Sequence, residues 1–469
     1  MIDTLIVGAG ISGLTLAHTL NKQKKQILLA ESQNRVGGNI TTGKKDGFCW
    51  EEGPSSFAPN TAILKLAMEV GLKDDLLLAD RHLPRFVYWQ NQLLPVPMNP
   101  VSAATSNLLS FGGKFRALLG ALGFVSPIVG NDTFSELGEE TVRQFFLRHL
   151  GKEVTERLIS PFVSGVYAGD VDQLAAKSAF RKIYRLTTVG GGLVPGTLLT
   201  AKERKQKALA NYDPSVPQVK SGELACFKDG LESLPKAIAA NLKDQLKLQW
   251  QMINLQKTEN KTYIAEFNTP EGLQTVETRS IVLTTPAHIT TEILKSVAPV
   301  ASESLKVIPY PPVASVVLAY PENATIKLGG FGNLIPRGQG IRTLGSVWTS
   351  TLFPGKTIPG WVMITNFIGG ATDLELGTLN DDQIVQCVHE DLKQILLVKD
   401  VQPKVLSVHL WKKAIPQYNL GHQNRLDQLN QDLQNLPGVY VCTNYTDGVA
   451  LGDCVQRALD LSEVIKAYL

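Results

Sequence analysis

The stretch Leu5–Leu20, LIVGAGISGLTLAHTL, decides the fold. Leu5-Ile6-Val7 is a short apolar run of the kind that forms a buried parallel strand, while Ile11, Leu14, Ala17 and Leu20 repeat at helical spacing. Between them lies Gly8-Ala9-Gly10-Ile11-Ser12-Gly13. Gly8 permits a tight turn, Gly10 lets the backbone approach a pyrophosphate, and Gly13 lets helix and strand pack closely. The anion would then rest on free N–H groups at a helix N-terminus, where the dipole favours negative charge. A second strand, Gln26 to Ala30, ends at Glu31, about twenty residues beyond Gly13, the spacing of an acidic residue that binds a ribose 2′-OH. A bare glycine turn would explain the first motif; it would not explain strand, loop, helix, strand and carboxylate in that order.

The next stretch, AESQNRVGGNI (Ala30–Ile40), narrows the dinucleotide. Arg35 and the pair Gly37-Gly38 follow Glu31 closely, and glycines there let an extended cofactor pass near the backbone. This E-x(3)-R-x-G-G pattern resembles that of the flavin amine oxidase superfamily. The resemblance implies FAD, one per chain and non-covalent, with Glu31 on the ribose and Arg35 beside the pyrophosphate. At the far end, Val439 to Cys442 reads as a strand and a terminal helix begins near Gly452. In this superfamily that helix N-terminus faces the flavin pyrimidine ring.

Composition agrees with a large globular protein. The 469 residues are 43% hydrophobic and 19% charged, too many for one core, so two or three domains are expected. A net charge of +3 gives no reason to expect nucleic acid. Cys49, Cys226, Cys387, Cys442 and Cys454 are scattered without C-x-x-C spacing, which suggests reduced thiols in a cytosolic or organelle-internal compartment. The seven histidines form no metal-binding pair, so no metal is expected. With the first strand starting beside Met1, no signal or transit peptide is expected, and no run is long enough to span a bilayer.

Along the middle of the chain, Leu93 to about Arg204 has a mostly helical pattern. Its stretch NLLSFGGKFRALLGALGFVSPIVG reads either as a buried hairpin or as an amphipathic surface lying on a bilayer, with Lys114 and Arg116 toward headgroups. The Lys- and Pro-rich stretch between Leu193 and Val219 reads as an exposed loop. Alternating runs from Gln245 to Leu283 suggest antiparallel strands returning to the nucleotide domain. Val313–Leu318 and Val362–Thr365 suggest a second sheet, covered by a helix from Asp381 to Leu396.

Three segments, EEGPSSF (Glu51–Phe57), SPFVSGVYAGD (Ser160–Asp170) and LWKKAIPQY (Leu410–Tyr418), resemble the oxygen-dependent protoporphyrinogen oxidases of haem and chlorophyll synthesis. The ending NYTDGVALGDCV is most similar to plastid and cyanobacterial members. The fold class implied is α/β: a discontinuous FAD-binding Rossmann-like domain (residues 1–85, 206–300 and 426–469), an α+β substrate domain (301–425) and a helical membrane-associating subdomain (86–205). The activity implied is oxidation of protoporphyrinogen IX to protoporphyrin IX with molecular oxygen as acceptor and hydrogen peroxide as product. Coproporphyrinogen III oxidation on the same fold, an amine oxidase and a flavin-binding assembly factor are the alternatives.

The resemblance assigns Arg85, in LPRFVYW, to a substrate propionate. Leu334, Val347 and Phe367 would sandwich the macrocycle, with Val347 standing where the family commonly has leucine. Gly165 and Ala168 would line the cleft. Besides Gly8, Ala9, Gly10, Ile11, Ser12, Gly13, Glu31, Arg35, Gly37 and Gly38, it assigns Ser32, Gly53, Pro54, Ser55, Ser56, Met252, Trp411, Val449, Ala450 and Leu451 to the cofactor. No residue is assigned as a catalytic acid or base. Hydride leaves an activated carbon and the nitrogen-bound protons pass to solvent, so orientation matters more than an acid or base. The partners expected are a porphyrinogen, molecular oxygen, a membrane surface on its cytoplasmic side, and a second copy of the chain as a candidate homodimer.

Overall fold

The computed structural model describes residues 1–126, 138–210, 212–220 and 222–469. Two sheets organise it. In the first, strand Ile2–Val7 lies parallel between Ile27–Glu31 and Gly272–Leu283. Leu246–Leu248 extends it beyond Ile27–Glu31, and Val439–Val441 adds parallel to Gly272–Leu283. The sheet therefore draws on three separated parts of the chain. Leu5, Ile6, Leu29 and Val282 are fully buried, as expected of strands covered on both faces. An antiparallel meander, Gln251–Lys257, Tyr263–Thr269 and Gly272–Leu283, flanks it. Leu246–Leu248 is thus a parallel edge strand and not the first of the antiparallel run that its alternation suggested.

Helix Ile11–Lys22 follows the first strand and packs against the C-terminal helix Leu451–Tyr468. Ile11, Leu14, Ala17 and Leu20 are all buried.

The second sheet is centred on Val313–Pro321, whose β-branched, apolar residues are almost all buried. Antiparallel neighbours Trp361–Gly369 and Lys404–Trp411 flank it. Beyond Trp361–Gly369 come Thr343–Val347, Gly332–Leu334, Arg85–Trp89 and Gln92–Pro95. Residues 85–95 therefore belong to this sheet, and the helical region begins later than residue 86. Helix Asp381–Ile395 covers one face with Ile384, Val388, Leu392 and Ile395, its start fixed by an Asn380/Gln383 capping box.

The helical region contains Phe111–Ala121, Val142–Leu150, Arg181–Gly190, Leu193–Leu199 and Ala201–Ala210. The last two replace the loop expected from Leu193. AKERKQKALA consists of strong helix formers, and Pro195 sits in a first turn, where proline is tolerated. Part of the expected membrane-facing stretch, residues 127–130, lies outside the described residues. Leu108 and Leu109, expected on that face, are buried instead.

Candidate functional site

Two helix N-termini meet at the end of the first sheet. Gly10 caps helix Ile11–Lys22 and Ala450 caps Leu451–Tyr468, and neither N-cap residue satisfies the first N–H groups with a side-chain hydrogen bond of its own. The two helices pack against each other, with Ser12 and Cys454, each in a first turn, close together, which places the two dipole ends side by side. Two positive ends pointing at one place suit a polyanion and a ring that gains negative charge.

The glycine loop fits a pyrophosphate. A Cβ on Gly10 would meet nothing within 4 Å, so the approach is open. A Cβ on Gly13 would lie 2.0 Å from the Gly8 carbonyl oxygen, so only glycine allows this helix–strand distance. Gly8 has φ +104°, and the Thr284 hydroxyl donates to its carbonyl oxygen at 2.8 Å. Glu31 is buried at the strand end. Its Oε2 accepts from the Ala9 N–H at 2.7 Å and its Oε1 from the Gln33 N–H at 2.8 Å. The Ser32 hydroxyl also donates to Oε1 at 3.2 Å. The carboxylate therefore braces the loop, and Oε2 is the oxygen that keeps a lone pair for a ribose hydroxyl. Ser32 beside it is exposed. Arg35 donates to the carbonyls of Gly38 (2.8 Å) and Val36 (3.3 Å), so part of its fork holds its own loop and the rest stays available. Gly37 and Gly38 both have positive φ.

Gly53, Pro54, Ser55 and Ser56 are half-buried beyond the hairpin Thr42–Glu51. A Cβ on Gly53 would strike the Asn39 carbonyl oxygen at 1.9 Å and approach the Trp411 ring at 3.8 Å. Trp411 is held by its indole N–H, which donates to the Glu52 carbonyl at 2.9 Å. Glu52 accepts from Ser407 and faces His409, whose hydrogen bond holds its carboxyl below the usual range. Met252 is buried at the start of the meander, and Val449, Ala450 and Leu451 lead into the terminal helix. The donor set thus fits FAD.

The expected substrate residues come together on the second sheet. Its register places Arg85, Gly332, Val347 and Thr365 in one row, and Val87, Leu334, Gly345 and Phe367 in a row two residues along. Opposed residues and those two apart share a face, so Arg85, Leu334, Val347 and Phe367 all lie on the face opposite helix Asp381–Ile395. The Arg85 guanidinium lies 5.3 Å from the centroid of the Phe331 ring and makes no ion pair or hydrogen bond among the described residues. In these two rows it is the one formal cation.

Gly165 reaches this face from an unusual helix. Two π-helical turns, Thr155–Ile159 and Val163–Tyr167, precede Ala168, which is left-handed at φ +49°. A Cβ on Gly165 would lie 2.3 Å from Leu334 Cδ2. Ala168 belongs to one apolar cluster with Leu344, against which Phe367 and Trp411 pack, so the cluster links that sheet face to the neighbourhood of the hairpin. Sequence reasoning missed Phe331 and Gly345; a Cβ on Gly345 would meet Leu334 Cδ2 at 3.0 Å. A glycine inside the strand TLGSV was the available signal.

A cavity of about 350 Å³ opens elsewhere, between helix His422–Leu433 and strand Val439–Val441, and gathers no charged side chain. Among the described residues no cluster could hold a metal ion, and no helix is long and apolar enough to cross a membrane.

Comparison with known proteins agrees with this geometry. The chain belongs to the flavin containing amine oxidoreductase family, whose model matches residues 11–465. It is an FAD-dependent oxidoreductase. Within the family it groups with the protoporphyrinogen oxidases: the chloroplastic protoporphyrinogen oxidase of Nicotiana tabacum is 40% identical over 100% of this chain and 86% of that protein. The coproporphyrinogen III oxidase of Bacillus subtilis is 29% identical over 97% of this chain and 95% of that one. A crystal structure from Exiguobacterium sp. 255-15 shares the fold, with a TM-score of 0.80 at 23% identity, covering 100% of this chain and 99% of that one.

Proposed function

We propose that this chain oxidises protoporphyrinogen IX to protoporphyrin IX, with molecular oxygen as final acceptor and hydrogen peroxide as product. The observation that carries the reading is the Arg85 guanidinium, which has no ion pair or hydrogen bond among the described residues, at the edge of an apolar sheet face. Such a face suits a large apolar macrocycle, and a free planar fork suits a carboxylate. FAD, when bound, supplies the hydride acceptor. Arg85 anchors the propionate end of the substrate, Leu334, Val347 and Phe367 hold its ring plane, and Gly165 and Gly345 keep Cβ atoms out of the space. None of these side chains transfers a proton, in keeping with a reaction whose protons leave to solvent. One cation in two rows favours the substrate with fewer propionates over coproporphyrinogen III.

An aerobic fluorescence assay with both porphyrinogens tests this, with faster porphyrin formation from protoporphyrinogen IX expected. Faster formation from coproporphyrinogen III overturns the substrate, and no anaerobic bleaching of the flavin by either overturns the enzyme reading.

We further propose that the protein rests peripherally on the cytoplasmic side of a membrane. Phe111, Phe115, Leu118 and Leu122 form a stripe at helical spacing along Phe111–Ala121, and all are exposed, Phe111 to 87%. Leu198 and Leu199, on a helix that packs against this one, are exposed as well. An apolar patch of this kind supports docking on lipid. The basic residues supporting it differ from those expected. Lys114 donates to the Ala104 carbonyl, and Arg116 is spent on the carbonyls of Phe124, Arg148 and His149, so neither faces headgroups. Lys202, Lys205 and Lys207, exposed just after Leu199, offer the cationic rim.

A further inference from the structure

A buried cluster just before the Gly53–Ser56 segment links three separated parts of the chain and joins the two sheets' domains. Glu51 ends the hairpin strand Phe48–Glu51, Cys226 lies in Ala225–Phe227, and Lys356 closes the turn Pro354–Lys356 that follows the substrate-face residue Val347. The three are 4%, 0% and 2% exposed. Lys356 Nζ donates to Glu51 Oε1 at 2.7 Å and to Cys226 Sγ at 2.9 Å. The thiol in turn lies 3.5 Å from that same Oε1. The Thr42 hydroxyl donates to Glu51 Oε2 at 2.6 Å and the Leu231 N–H to Oε1 at 3.1 Å, which fixes the carboxylate. An ion pair alone explains Glu51 and Lys356; it does not call for a sulfur within bonding range of the ammonium.

We propose that Lys356 and Cys226 form an oxidative covalent cross-link, Nζ–O–Sγ, with hydrogen peroxide as the oxidant. Two single bonds through one oxygen span a gap of about the size seen here, so little movement is needed. In the first step the Cys226 thiol and one hydrogen peroxide give a sulfenic acid and water. The peroxide O–O bond breaks and the sulfur loses two electrons. In the second, Lys356 gives its ammonium proton to Glu51. The resulting amine loses two electrons to a second hydrogen peroxide as the bond from Nζ to the sulfenic oxygen forms, and two waters leave.

Burial pushes the Cys226 thiol up to about 12, which by itself describes an inert cysteine. Two features counter that. Glu51 Oε1 touches both thiol and ammonium and can take a proton from either, and hydrogen peroxide is small and uncharged, so exclusion of ions does not exclude it. Burial would lower the Lys356 ammonium, but the charge of Glu51 and the contact with Cys226 outweigh it and lift the group to about 12. The amine is therefore not free until Glu51 takes its proton in the second step, which makes sulfur the first site of attack.

The test treats the FAD-loaded protein with added hydrogen peroxide, so it does not depend on which porphyrinogen is oxidised. Non-reducing peptide mass spectrometry should find the peptides containing Cys226 and Lys356 joined, at the sum of their masses plus one oxygen less two hydrogens. Dithiothreitol should separate them. The joined species should be lost in Cys226→Ser and in Lys356→Arg, which keeps the charge. Oxidation should also raise the thermal midpoint of the wild type, since the bond ties the two domains, and dithiothreitol should reverse the rise. A Cys226–Cys49 disulfide, a sulfinic acid at Cys226, or an unmodified Cys226 after full oxidation of exposed methionines would each overturn the proposal from wild-type data alone, whatever the variants' stability.

Discussion

Replacing Arg85 with alanine removes one charge and little else. The guanidinium is half-buried over Phe331 and has no ion pair or hydrogen bond among the described residues to lose. Its contact with the ring is worth about 0.5–1 kcal/mol at an exposed site, so the variant should fold, with a melting point lower by no more than a few degrees. A charge-assisted hydrogen bond to a propionate is worth roughly 1.5–3 kcal/mol. At about 1.4 kcal/mol per decade, kcat/KM for protoporphyrinogen IX should fall about tenfold to hundredfold, with most of the change in KM. Flavin content should not change, because Arg85 lies on the second sheet, away from the glycine loops.

A dimethyl ester of the substrate sharpens the test, since it removes the partner charge from the other side. The wild type should lose on the ester about what Arg85→Ala loses on the acid, and the variant should lose little more on the ester. Equal kinetics for wild type and variant on the acid would place the anchoring cation elsewhere. A further large loss for the variant on the ester would show that Arg85 acts by packing and not by charge.

Glu31→Gln should weaken FAD retention through gel filtration, read as flavin absorbance, because an amide can no longer accept on both sides while serving Ala9 and Gln33. Gly165→Ala should lower kcat/KM by overpacking worth about 1–3 kcal/mol, and Leu334→Ala in that background should restore part of it by removing the atom the new Cβ strikes. His149 is held down to about 4, by burial first and then by the neighbouring Arg148. A folded value below the unfolded 6.5 means the unfolded chain binds more protons between them, so stability should fall as pH drops from 6.5 toward 4, by at most about 3 kcal/mol. His149→Gln should flatten the urea midpoint across that window. Phe115→Glu with Leu118→Glu should abolish co-sedimentation with anionic liposomes at an unchanged melting point, whereas a collapsed melting point with binding kept would make the stripe core.

The parts of this molecule that could be read from the chain are those whose cause is local. Gly13 must be glycine because a carbonyl five residues earlier occupies the place of its Cβ, and Glu31 ends the strand beside the first. Both facts are written within one βαβ unit, so motif and spacing carry them. The run Val313–Tyr320 announces a buried strand by composition alone. Elsewhere the deciding partner is far away in sequence. Arg116 beside an apolar stretch reads the same whether it meets headgroups or carbonyls, and only the fold brings the end of helix Val142–Leu150 to it. Leu246–Leu248 alternates like an antiparallel strand, yet its partner is Ile27–Glu31, and direction is a property of the pair.

The substrate face shows the same division at the level of function. Each of Arg85, Leu334, Val347 and Phe367 was nameable from a resemblance, but nothing in their own segments says that they share a face. That follows from register: Gly332 opposite both Arg85 and Val347, and Leu334 opposite Gly345, which in turn lies opposite Phe367. Because side chains alternate along a strand, a slip of one residue at Gly332–Leu334 would turn Leu334 to the opposite face, toward helix Asp381–Ile395, and leave Arg85 beside an empty row. The glycines at 332 and 345 are therefore best understood together with that register. They clear the space in front of the face, and they sit where a side chain would collide with the neighbouring strand, Gly332 on the Ser346 carbonyl oxygen and Gly345 on that of Asn333. Room in front of the face and the pairing that aligns its side chains come from the same residues.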